Sequence, residues 1–564
     1  MEWKGKWCLA LMLVVVVVGQ AETPVERIRL VLATRPNEGL RYAATLFEQQ
    51  VERRCPAKVV TTGDGTLRVC LKIQPGIGVE GYSIRTKRRD QIEIAGNDER
   101  GLLYGLGRLL HTSRFSTEGF SPGAWRGRSV PACAVRGVYF ATHFNNFYEA
   151  APIEDVEAYI EDLALWGVNS IVFEFPQWQY ESFDDPAAHK NINRIREMMR
   201  VARKVGMHVG LLEAENQGFK SAPSELRNVL FPDEWGRRGH LGILLCPSKP
   251  AGRAYLLDLW NRLLDEFRDP GIDTVVYWPY DEGGCGCDQC WPWGARGYLQ
   301  LSQAISGVAR QKFPECKFIL STWMYDTPPA GEWEGLTKAL SKDKHLVDYI
   351  LADAHESFPC YPLDKHVPGG LPLLNFPEIS MWGMAPWGGY GANPLPTRLQ
   401  LLWNQVAGRV AGGFPYSEGI YEDINKVIES QFYWDPKQPA RKTVKEYAAA
   451  YFSPDVAQDA AEAVEIFEMN HQRGTDGRFD RAPVETERAF ELIAGADAKL
   501  TPQARQSWRW RLLYLRAVVD RELDKTGGKL QGAALRQAFD EIVRIYHAEH
   551  VHTGWIAPPE MPKQ

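Results

Sequence analysis

The feature that most constrains the fold of this chain is a strand-then-helix alternation, repeated eight times between Val135 and Pro436. Each unit opens with a short apolar run and continues with apolar residues at helical spacing. Parallel strands need a crossover between them, so this alternation predicts a parallel sheet. Eight units over about 300 residues favour a closed (β/α)8 barrel, or TIM barrel, over an open sheet. The predicted strands span 135–140, 170–175, 208–215, 274–282, 317–323, 348–355, 372–380 and 412–419.

The chain on either side of the alternation follows other patterns. Residues 22–125 combine strand-like runs with two helical stretches, which predicts a small α/β domain. The barrel is assigned to residues 132–436. After Pro436 the strand-like runs stop and only amphipathic segments continue. Residues 437–564 are therefore predicted to form a helical domain that packs on the barrel.

The second helix of the small domain is rich in glycine. It follows a capping Asn97 or Asp98 and carries Gly101, Gly105 and Gly107 among its leucines. A glycine inside a helix costs up to about 1 kcal/mol relative to alanine. Close packing against another element is the usual reason to keep such residues, so we expect tight contacts along this helix. The residues that follow, 115–131, have the composition of a boundary loop.

The amino terminus has the pattern of an export signal. Lys4 and Lys6 precede an apolar run over residues 8–19, and residues 19–21 form a small-x-small cleavage site. A bilayer core needs about 20 apolar residues, more than this run supplies. We therefore expect residues 1–21 to be a signal peptide and the mature protein to be secreted or periplasmic, without a membrane partner. A net charge of −6 without a Lys/Arg block argues against nucleic acid as a partner.

Acidic residues recur at the ends of the predicted barrel strands, where such a barrel carries its chemistry. Carboxylates gathered in a cleft lose water and repel one another, so the pKa values of some rise while those of others stay low. Glycosidic cleavage uses that asymmetry, with one protonated acid and one anion. The strand-end residues with this chemistry are His143, Glu174, Glu213, Glu215, Asp281, Glu282, Asp353, Glu378 and Glu418.

Aromatic residues are the other unusual component, with 19 Trp, 22 Tyr and 23 Phe. The apolar faces of sugar rings stack on such side chains, although many of them simply fill a large core. Tryptophans at strand ends are the candidates for sugar stacking, and polar neighbours are candidates to bind hydroxyls. The predicted substrate-binding residues are Glu418, Glu174, His143, Trp278, Trp323 and Trp382.

Two motifs resemble parts of known carbohydrate-active enzymes. The small domain ends in GNDERGLLYGLGRLL, which resembles the helix closing the small α/β domain of family 20 and related glycoside hydrolases. The barrel opens with RGVYF and IEDVEAYIEDLALWGVNSIVFEF, similar to the barrel opening of the same group. The order of small domain, barrel and helices also resembles families 20, 84 and 67. This resemblance implies hydrolysis of a glycosidic bond in an oligo- or polysaccharide, with an N-acetylhexosaminide as the first substrate expected and a uronic-acid or neutral glycan as the second.

The resemblance also implies roles for an acidic pair. Family 20 enzymes have Asp-Glu at the end of the fourth strand, and Asp281-Glu282 stands in that position. Glu282 would be the general acid, and Asp281 would orient a substrate 2-acetamido group that acts as internal nucleophile. This mechanism needs no cofactor.

Two alternatives use the same positions. Many retaining barrel glycosidases carry the acid on the fourth strand and a carboxylate nucleophile on the seventh. Glu282 and Glu378 would then be the acid and the nucleophile, with carboxyl groups about 5 Å apart. The other alternative is a barrel that binds glycans without cleaving them. The intact strand-end acids argue against that version.

Three cysteines directly follow the acidic pair, at Cys285, Cys287 and Cys290. Export favours a disulfide within this cluster or to Cys246 or Cys316. A structural zinc site is the other interpretation, since three thiolates lack only a fourth ligand. A catalytic metal is not expected, because all-thiolate sites tend to be closed.

Overall fold

The computed structural model describes residues 23–32, 36–231, 241–325, 328–474, 477–550 and 556–562. The predicted signal peptide, residues 1–21, lies outside the described residues. Among the helices that are described, none has the length and apolar character needed to cross a membrane.

The small α/β domain combines eight strands with two helices. Its elements are β1 (Arg27–Leu32), α1 (Glu38–Arg54), β2 (Lys58–Val60), β3 (Leu67–Ile73), β4 (Tyr82–Arg88), β5 (Gln91–Gly96), α2 (Glu99–Thr112), β6 (Arg114–Ser116), β7 (Gly119–Ser121) and β8 (Gly127–Ser129). Six strands form its main sheet, in the order β2-β1-β3-β5-β4-β8, with β4 and β8 antiparallel to their neighbours. α2 packs on β5, β4 and β3, and α1 packs against α2 and β2.

The segment predicted as a boundary loop contains three strands. β6 and β7 form a small hairpin, and β8 is the edge strand of the domain's sheet. Each of the three has only three residues, too few to show a period-two pattern in the sequence. The prediction for residues 115–131 was therefore wrong in its secondary structure.

The glycines of α2 allow the close contacts expected of them. Asp98 is the N-cap, and its side chain accepts from the Gly101 amide. A Cβ on Gly107 would lie 2.1 Å from the Leu165 carbonyl oxygen. A Cβ on Gly101 would lie 2.2 Å from the Gly81 carbonyl oxygen. Gly107 thus brings the small domain into backbone contact with the first long barrel helix.

The central sheet closes into the predicted barrel of parallel strands. The first strand, β9 (Val135–Phe140), pairs with β10 (Ser170–Phe173) on one side and with both segments of the eighth strand on the other. The eighth strand is interrupted around Pro415, which lacks the N–H that a continuous ladder needs. The barrel strands are β9 (Val135–Phe140), β10 (Ser170–Phe173), β11 (His208–Glu213), β12 (Thr274–Tyr277), β13 (Lys317–Ser321), β14 (Tyr349–Ala354), β15 (Leu373–Pro377), and β16 (Gly412–Gly413) with β17 (Tyr416–Ser417).

Several strands end earlier than predicted, and this places the acids in loops at the mouth. β12 ends at Tyr277, so Glu282 belongs to the loop that follows it. Glu174, Glu378 and Glu418 each come directly after a strand. The barrel interior below them is filled by side chains from all eight strands, as in other closed barrels of this size. These buried interior residues are Tyr139, Ala141, Val172, Leu212, Val276, Ile319, Leu351, Leu374, Phe376 and Phe414.

Helices surround the barrel and continue into the carboxyl-terminal part. The sixth crossover helix, α9 (Cys360–Asp364), has only five residues. The barrel helices are α3 (Phe147–Ala150), α4 (Ile153–Leu165), α5 (Pro186–Lys204), α6 (Pro250–Glu266), α7 (Gly297–Lys312), α8 (Glu332–Lys342), α9 (Cys360–Asp364), α10 (Pro396–Val406) and α11 (Asp423–Trp434). The helices after the barrel are α12 (Ala440–Tyr451), α13 (Ala457–Met469), α14 (Thr486–Asp497), α15 (Pro502–Gln506), α16 (Trp508–Lys525) and α17 (Ala533–Tyr546).

A buried polar junction ties the three parts together at Asp162 of α4. The Gln50 amide of the small domain donates to one Asp162 oxygen at 2.8 Å. The Arg509 guanidinium of the helical part donates to the other at 2.8 Å and to Asp423 at 2.7 Å. Buried charges need such partners, so this junction fixes how the parts pack.

Candidate active site

A buried histidine and glutamate meet at the ends of the first two barrel strands. The Nδ1 atom of His143 lies 3.0 Å from a Glu174 carboxylate oxygen. The Tyr139 hydroxyl, from the preceding strand, donates to the same oxygen at 2.5 Å. The Thr142 hydroxyl donates to the Glu174 carbonyl at 2.5 Å and holds the two strand ends together.

Glu282 reaches this pair from the loop after the fourth strand. One carboxyl oxygen each of Glu174 and Glu282 and a ring nitrogen of His143 all lie within 4.8 Å of one another. At this distance each of the two carboxyl groups shifts the pKa of the other. The Gln217 amide, from the third-strand loop, donates to Glu282 Oε2 at 3.0 Å. Asp281 stands beside them with a left-handed backbone, at φ 68°.

The two carboxyl groups have opposite electrostatic environments. Burial raises the pKa of Glu282 to about 8, and the neighbouring Glu174 carboxylate adds to the rise. Burial alone would raise the pKa of Glu174 as well, but His143 and the surrounding hydrogen bonds lower it below its ordinary value. Burial would lower the pKa of His143, but the Glu174 carboxylate raises it to about 9. At neutral pH an anionic Glu174 therefore lies between a cationic His143 and a neutral Glu282.

Glu213 lies behind this group at the end of the third strand. Burial, with Glu174 nearby, raises the pKa of Glu213 well above its ordinary value. The Phe175 amide donates to Glu213 Oε1 at 2.7 Å. Glu213 is therefore a neutral, buried side chain that supports the loop carrying Glu174.

A second pair of acids lies at the ends of the seventh and eighth strands. The Ser380 and Met381 amides donate to Glu378 Oε1 at 2.5 and 2.9 Å. The Tyr416 hydroxyl donates to Glu418. Burial raises the pKa of Glu378 to about 7, even with those two amides bound. Burial and the nearby Glu378 raise the pKa of Glu418 well above its ordinary value.

The two groups of acids belong to one mouth. The rings of Tyr139 and Tyr416, which bind Glu174 and Glu418, have centroids 5.5 Å apart. Glu418 also contributes to the electrostatic field at His143. The structure thus brings five predicted site residues to one end of the barrel: Glu174, Glu282, His143, Glu378 and Glu418.

The predicted tryptophans fall into two settings. Trp278 and Trp323 are half-buried and stack with centroids 5.3 Å apart. Trp278 also contacts Phe376 of the barrel interior, at 4.9 Å. Trp382 lies elsewhere, under the Arg398 guanidinium at 4.5 Å and stacked with His471 of the helical part. Trp278 and Trp323 therefore line the mouth, whereas Trp382 packs against the helical part.

The cysteine cluster gains a fourth member. Cys246 joins Cys285, Cys287 and Cys290, and all four sulfurs lie within 4.8 Å of one another. None of the cysteines in the described residues forms a disulfide, so the predicted disulfide of the cluster is not present. Cys316, the other predicted partner, instead lies beside the Lys317 carbonyl.

Two sets of side chains in the described residues are placed to hold a metal ion: the four cysteines, and His143 with Glu174 and Glu282. The second set is also a complete acid–base arrangement, because its pKa values are split by burial and charge. The four cysteines have no such role, and thiolates are the usual ligands of structural zinc.

Several contributors to the site were not predicted. Tyr139 and Tyr416 orient the acids, and Gln217 binds Glu282. The alternation of side chains along β9 places Tyr139 and Ala141 inward, and that pattern could have indicated Tyr139. Gln217 had no comparable signal, because its loop position depends on the folding of the third-strand loop.

No protein-family model matches the sequence, and no curated protein matches it either. Solved structures match its fold. A family 115 4-O-methyl-α-glucuronidase with specificity for decorated arabinogalactans superposes with a TM-score of 0.63 at 11% identity, covering 96% of this chain and 78% of its own. A family 89 glycoside hydrolase from Clostridium perfringens gives a TM-score of 0.61 at 12% identity, over 90% and 64% of the two chains.

A family 20 β-N-acetylhexosaminidase from Streptomyces coelicolor A3(2) gives a TM-score of 0.51 at 13% identity, over 75% of this chain and 91% of its own. At such identities the likeness concerns the fold. The predicted resemblance to glycoside hydrolases is confirmed at that level. This chain has the barrel architecture that these glycoside hydrolases share.

Proposed function

We propose that this protein is a glycoside hydrolase in which Glu282 is the general acid. The observation that carries the proposal is the proximity of Glu174 and Glu282, which have carboxyl oxygens within 4.8 Å of each other and pKa values displaced in opposite directions. Such a displacement supports Glu282 as the acid, because in this pair only the group with the raised pKa carries a proton at neutral pH. The fold shared with glycoside hydrolases of several families supports this chemistry.

Glu282 would protonate the glycosidic oxygen as the bond to the leaving sugar breaks. Proton loss leaves Glu282 negative beside the negative Glu174. His143, positively charged at neutral pH, offsets part of that repulsion from 3.0 Å away from Glu174. The Gln217 amide holds Glu282 Oε2, so the other oxygen is the one that delivers the proton.

Two mechanisms are compatible with Glu282 as the acid, and they differ in the group that attacks the sugar carbon. In the first, Asp281 orients a substrate 2-acetamido group that attacks the carbon. In the second, Glu378 attacks and forms a glycosyl-enzyme intermediate. Two backbone amides stabilise the Glu378 carboxylate that such an attack needs, whereas burial opposes its ionisation and raises its pKa to about 7.

The cations among the described residues near the mouth already have acidic or carbonyl partners. Three cations of the described residues lie near the acids, and each is already engaged: His143 by Glu174, Lys426 by Glu422 and Arg398 by backbone carbonyls. Within the described residues, the carboxylate of a uronic acid would have to share a cation that is already paired. One of the matched structures contains 2-acetamido-1,2-dideoxynojirmycin, and another is a β-N-acetylhexosaminidase. We therefore propose an N-acetylhexosaminide as the first substrate to test.

A panel of chromogenic glycosides tests the proposal directly. The panel should include β- and α-N-acetylhexosaminides, neutral hexosides and glucuronides. Release of chromophore by the wild type, lost in Glu282→Gln, supports hydrolysis at this site. Glycan binding without turnover of any substrate would instead support the non-catalytic alternative.

We also propose that the mature protein is exported after removal of residues 1–21. The motivation is the pattern of Lys4, Lys6 and the apolar run over residues 8–19. Amino-terminal sequencing of the extracellular or periplasmic protein should begin near Glu22. A protein that still begins at Met1 would contradict the proposal.

A further inference from the structure

We propose that Cys246, Cys285, Cys287 and Cys290 bind one Zn²⁺ ion in a tetrahedral, structural site. The four sulfurs come from two separate segments of the chain and converge within 4.8 Å of one another. No part of the proposed acid–base chemistry uses them. The inference therefore stands independently of the proposed function.

The spacing of the sulfurs fits a zinc ion. A Zn–S bond of about 2.3 Å puts the sulfurs of a tetrahedral site about 3.8 Å apart. The Cys246 and Cys287 sulfurs are 3.7 Å apart. A disulfide instead requires a sulfur–sulfur distance of about 2.05 Å. The cluster has the dimensions of a four-thiolate cage.

The surroundings of the cage are those of a closed structural site. Cys246, Cys285 and Cys290 are buried, and only Cys287 is partly exposed. The Ser248 hydroxyl lies 3.0 Å from the Cys246 sulfur and 3.2 Å from the Cys287 sulfur. Hydrogen bonds of this kind orient ligands and tune the metal. A cage with four protein ligands has no open position for a substrate, so the ion would stabilise structure.

One side chain holds both cysteine-bearing segments in place. The Asn216 side chain donates to the Leu245 carbonyl at 2.8 Å and accepts from the Gly284 amide at 2.9 Å. Leu245 precedes Cys246, and Gly284 precedes Cys285. Asn216 is buried and aligns the two segments through ordinary hydrogen bonds. The cage therefore rests on a framework that positions its ligands before an ion binds.

The loop after the fourth strand also needs glycine to reach the cage. Gly284 has φ +125°, a region that other residues rarely adopt. A Cβ on Gly286 would lie 2.4 Å from the Leu230 carbonyl oxygen. These contacts pack the loop against residues 229–231 of the third-strand loop. A zinc ion at the cage would therefore hold the loop that carries Asp281 and Glu282 to the third-strand loop.

Metal analysis of the purified wild type, without added chelator, tests the inference. We expect one zinc per chain. Replacement by cobalt should give the thiolate-to-cobalt charge-transfer and visible absorption bands of a tetrahedral thiolate site. The Cys290→Ser variant should lose the bound metal, and the matched Cys316→Ser variant, which removes a buried cysteine outside the cage, should retain it.

A measurement on the wild type alone covers the case in which Cys290→Ser fails to fold. Thiol titration of the native protein should find the four cage cysteines unreactive until a strong chelator removes the metal. Chelation should also lower the thermal midpoint of unfolding. An intact mass reduced by two hydrogens per disulfide, with no bound metal, would overturn the inference in favour of disulfides. Reactive thiols with no metal would overturn it in favour of free cysteines.

The location of the ion is tested separately from the catalytic proposal. Zinc content should be unchanged in Glu282→Gln and His143→Asn. Metal lost from those variants but kept in Cys290→Ser would place the ion at the acidic mouth and overturn the cysteine site. Absence of glycosidase activity leaves the expected zinc content unaltered, so the two proposals can fail independently.

Discussion

The carboxyl groups of Glu174 and Glu282, from the loops after the second and fourth barrel strands, lie with oxygens within 4.8 Å of each other and of a His143 ring nitrogen. Two buried carboxyl groups at this separation cannot both ionise without strong repulsion. His143 and Tyr139 stabilise the charge on Glu174, so Glu282 keeps the proton. The ionised Glu174 thus keeps Glu282 protonated, as the acid of the proposed reaction must be.

This relationship predicts the alkaline limb of the pH profile. The raised pKa of Glu282, about 8, keeps its proton on well past the ordinary range of a glutamate. Activity should therefore fall as the pH rises through about 8, as Glu282 deprotonates. The measurement is kcat/KM against pH. A profile flat from pH about 6 to 10 on a substrate with a poor leaving group would contradict the assignment.

The acidic limb and two substitutions separate the mechanisms. If Glu378 is the nucleophile it must be ionised, and its raised pKa puts the acidic limb near pH 7. Glu378→Gln would then abolish turnover, and azide would rescue Glu378→Ala with a glycosyl azide product. If the substrate acetamido group attacks, Asp281→Asn is the severe variant and Glu378→Gln the mild one. Equal, small effects of both substitutions would reject both mechanisms.

The two tryptophan settings predict different effects on binding. Trp323 lines the mouth against Trp278, whereas Trp382 packs on Arg398 and His471. A stacking contact contributes about 1 kcal/mol, so Trp323→Ala should raise KM about fivefold. Trp382→Ala should leave KM nearly unchanged and lower stability instead. Steady-state kinetics on one cleaved glycoside measures both effects. A larger rise in KM for Trp382→Ala than for Trp323→Ala would contradict this placement of the sugar.

Gly107 offers a test of how the small domain packs on the barrel. A Cβ there would lie 2.1 Å from the Leu165 carbonyl oxygen, so Gly107→Ala forces the two elements apart. We expect it to destabilise the protein by about 1–3 kcal/mol. The matched control is Gly495→Ala in α14, where a Cβ meets nothing within 4 Å. That change should stabilise by up to about 1 kcal/mol. Denaturant unfolding measures the free energy of unfolding of both variants. Equal values for Gly107→Ala and Gly495→Ala would contradict the contact between α2 and α4.

The barrel could be predicted from the sequence because its strand–helix pattern is periodic and repeats over a long stretch of the chain. Strands such as Val135–Phe140 and helices such as Pro186–Lys204 repeat one pattern along the chain. The short strands β6, β7 and β8 lie below the length at which that pattern can be recognised. They depend on pairing with distant residues, as β8 does with β4.

The sequence predicted which residues form the site, but not which of them contact one another. Strand ends identified Glu174, Glu282, Glu378 and Glu418, because a closed barrel brings all strand ends to one mouth. Which acid meets which depends on loop conformation, and the left-handed backbone of Asp281 has no signature in the sequence. Cys246 lies 41 positions before Cys287, so only the folded chain shows that it completes the cluster.

The most direct test of the account is the turnover of a natural glycan, or of a glycoside with a poor leaving group, by Glu282→Gln. Loss of a general acid costs 10²–10⁴-fold in rate, about 3–5 kcal/mol of barrier. We expect that loss with an unchanged fold, and a smaller loss on substrates whose leaving groups need no proton. The control is Glu334→Gln, an exposed glutamate of α8, which should behave like the wild type. Near-normal turnover by Glu282→Gln would contradict the central claim that Glu282 donates the proton.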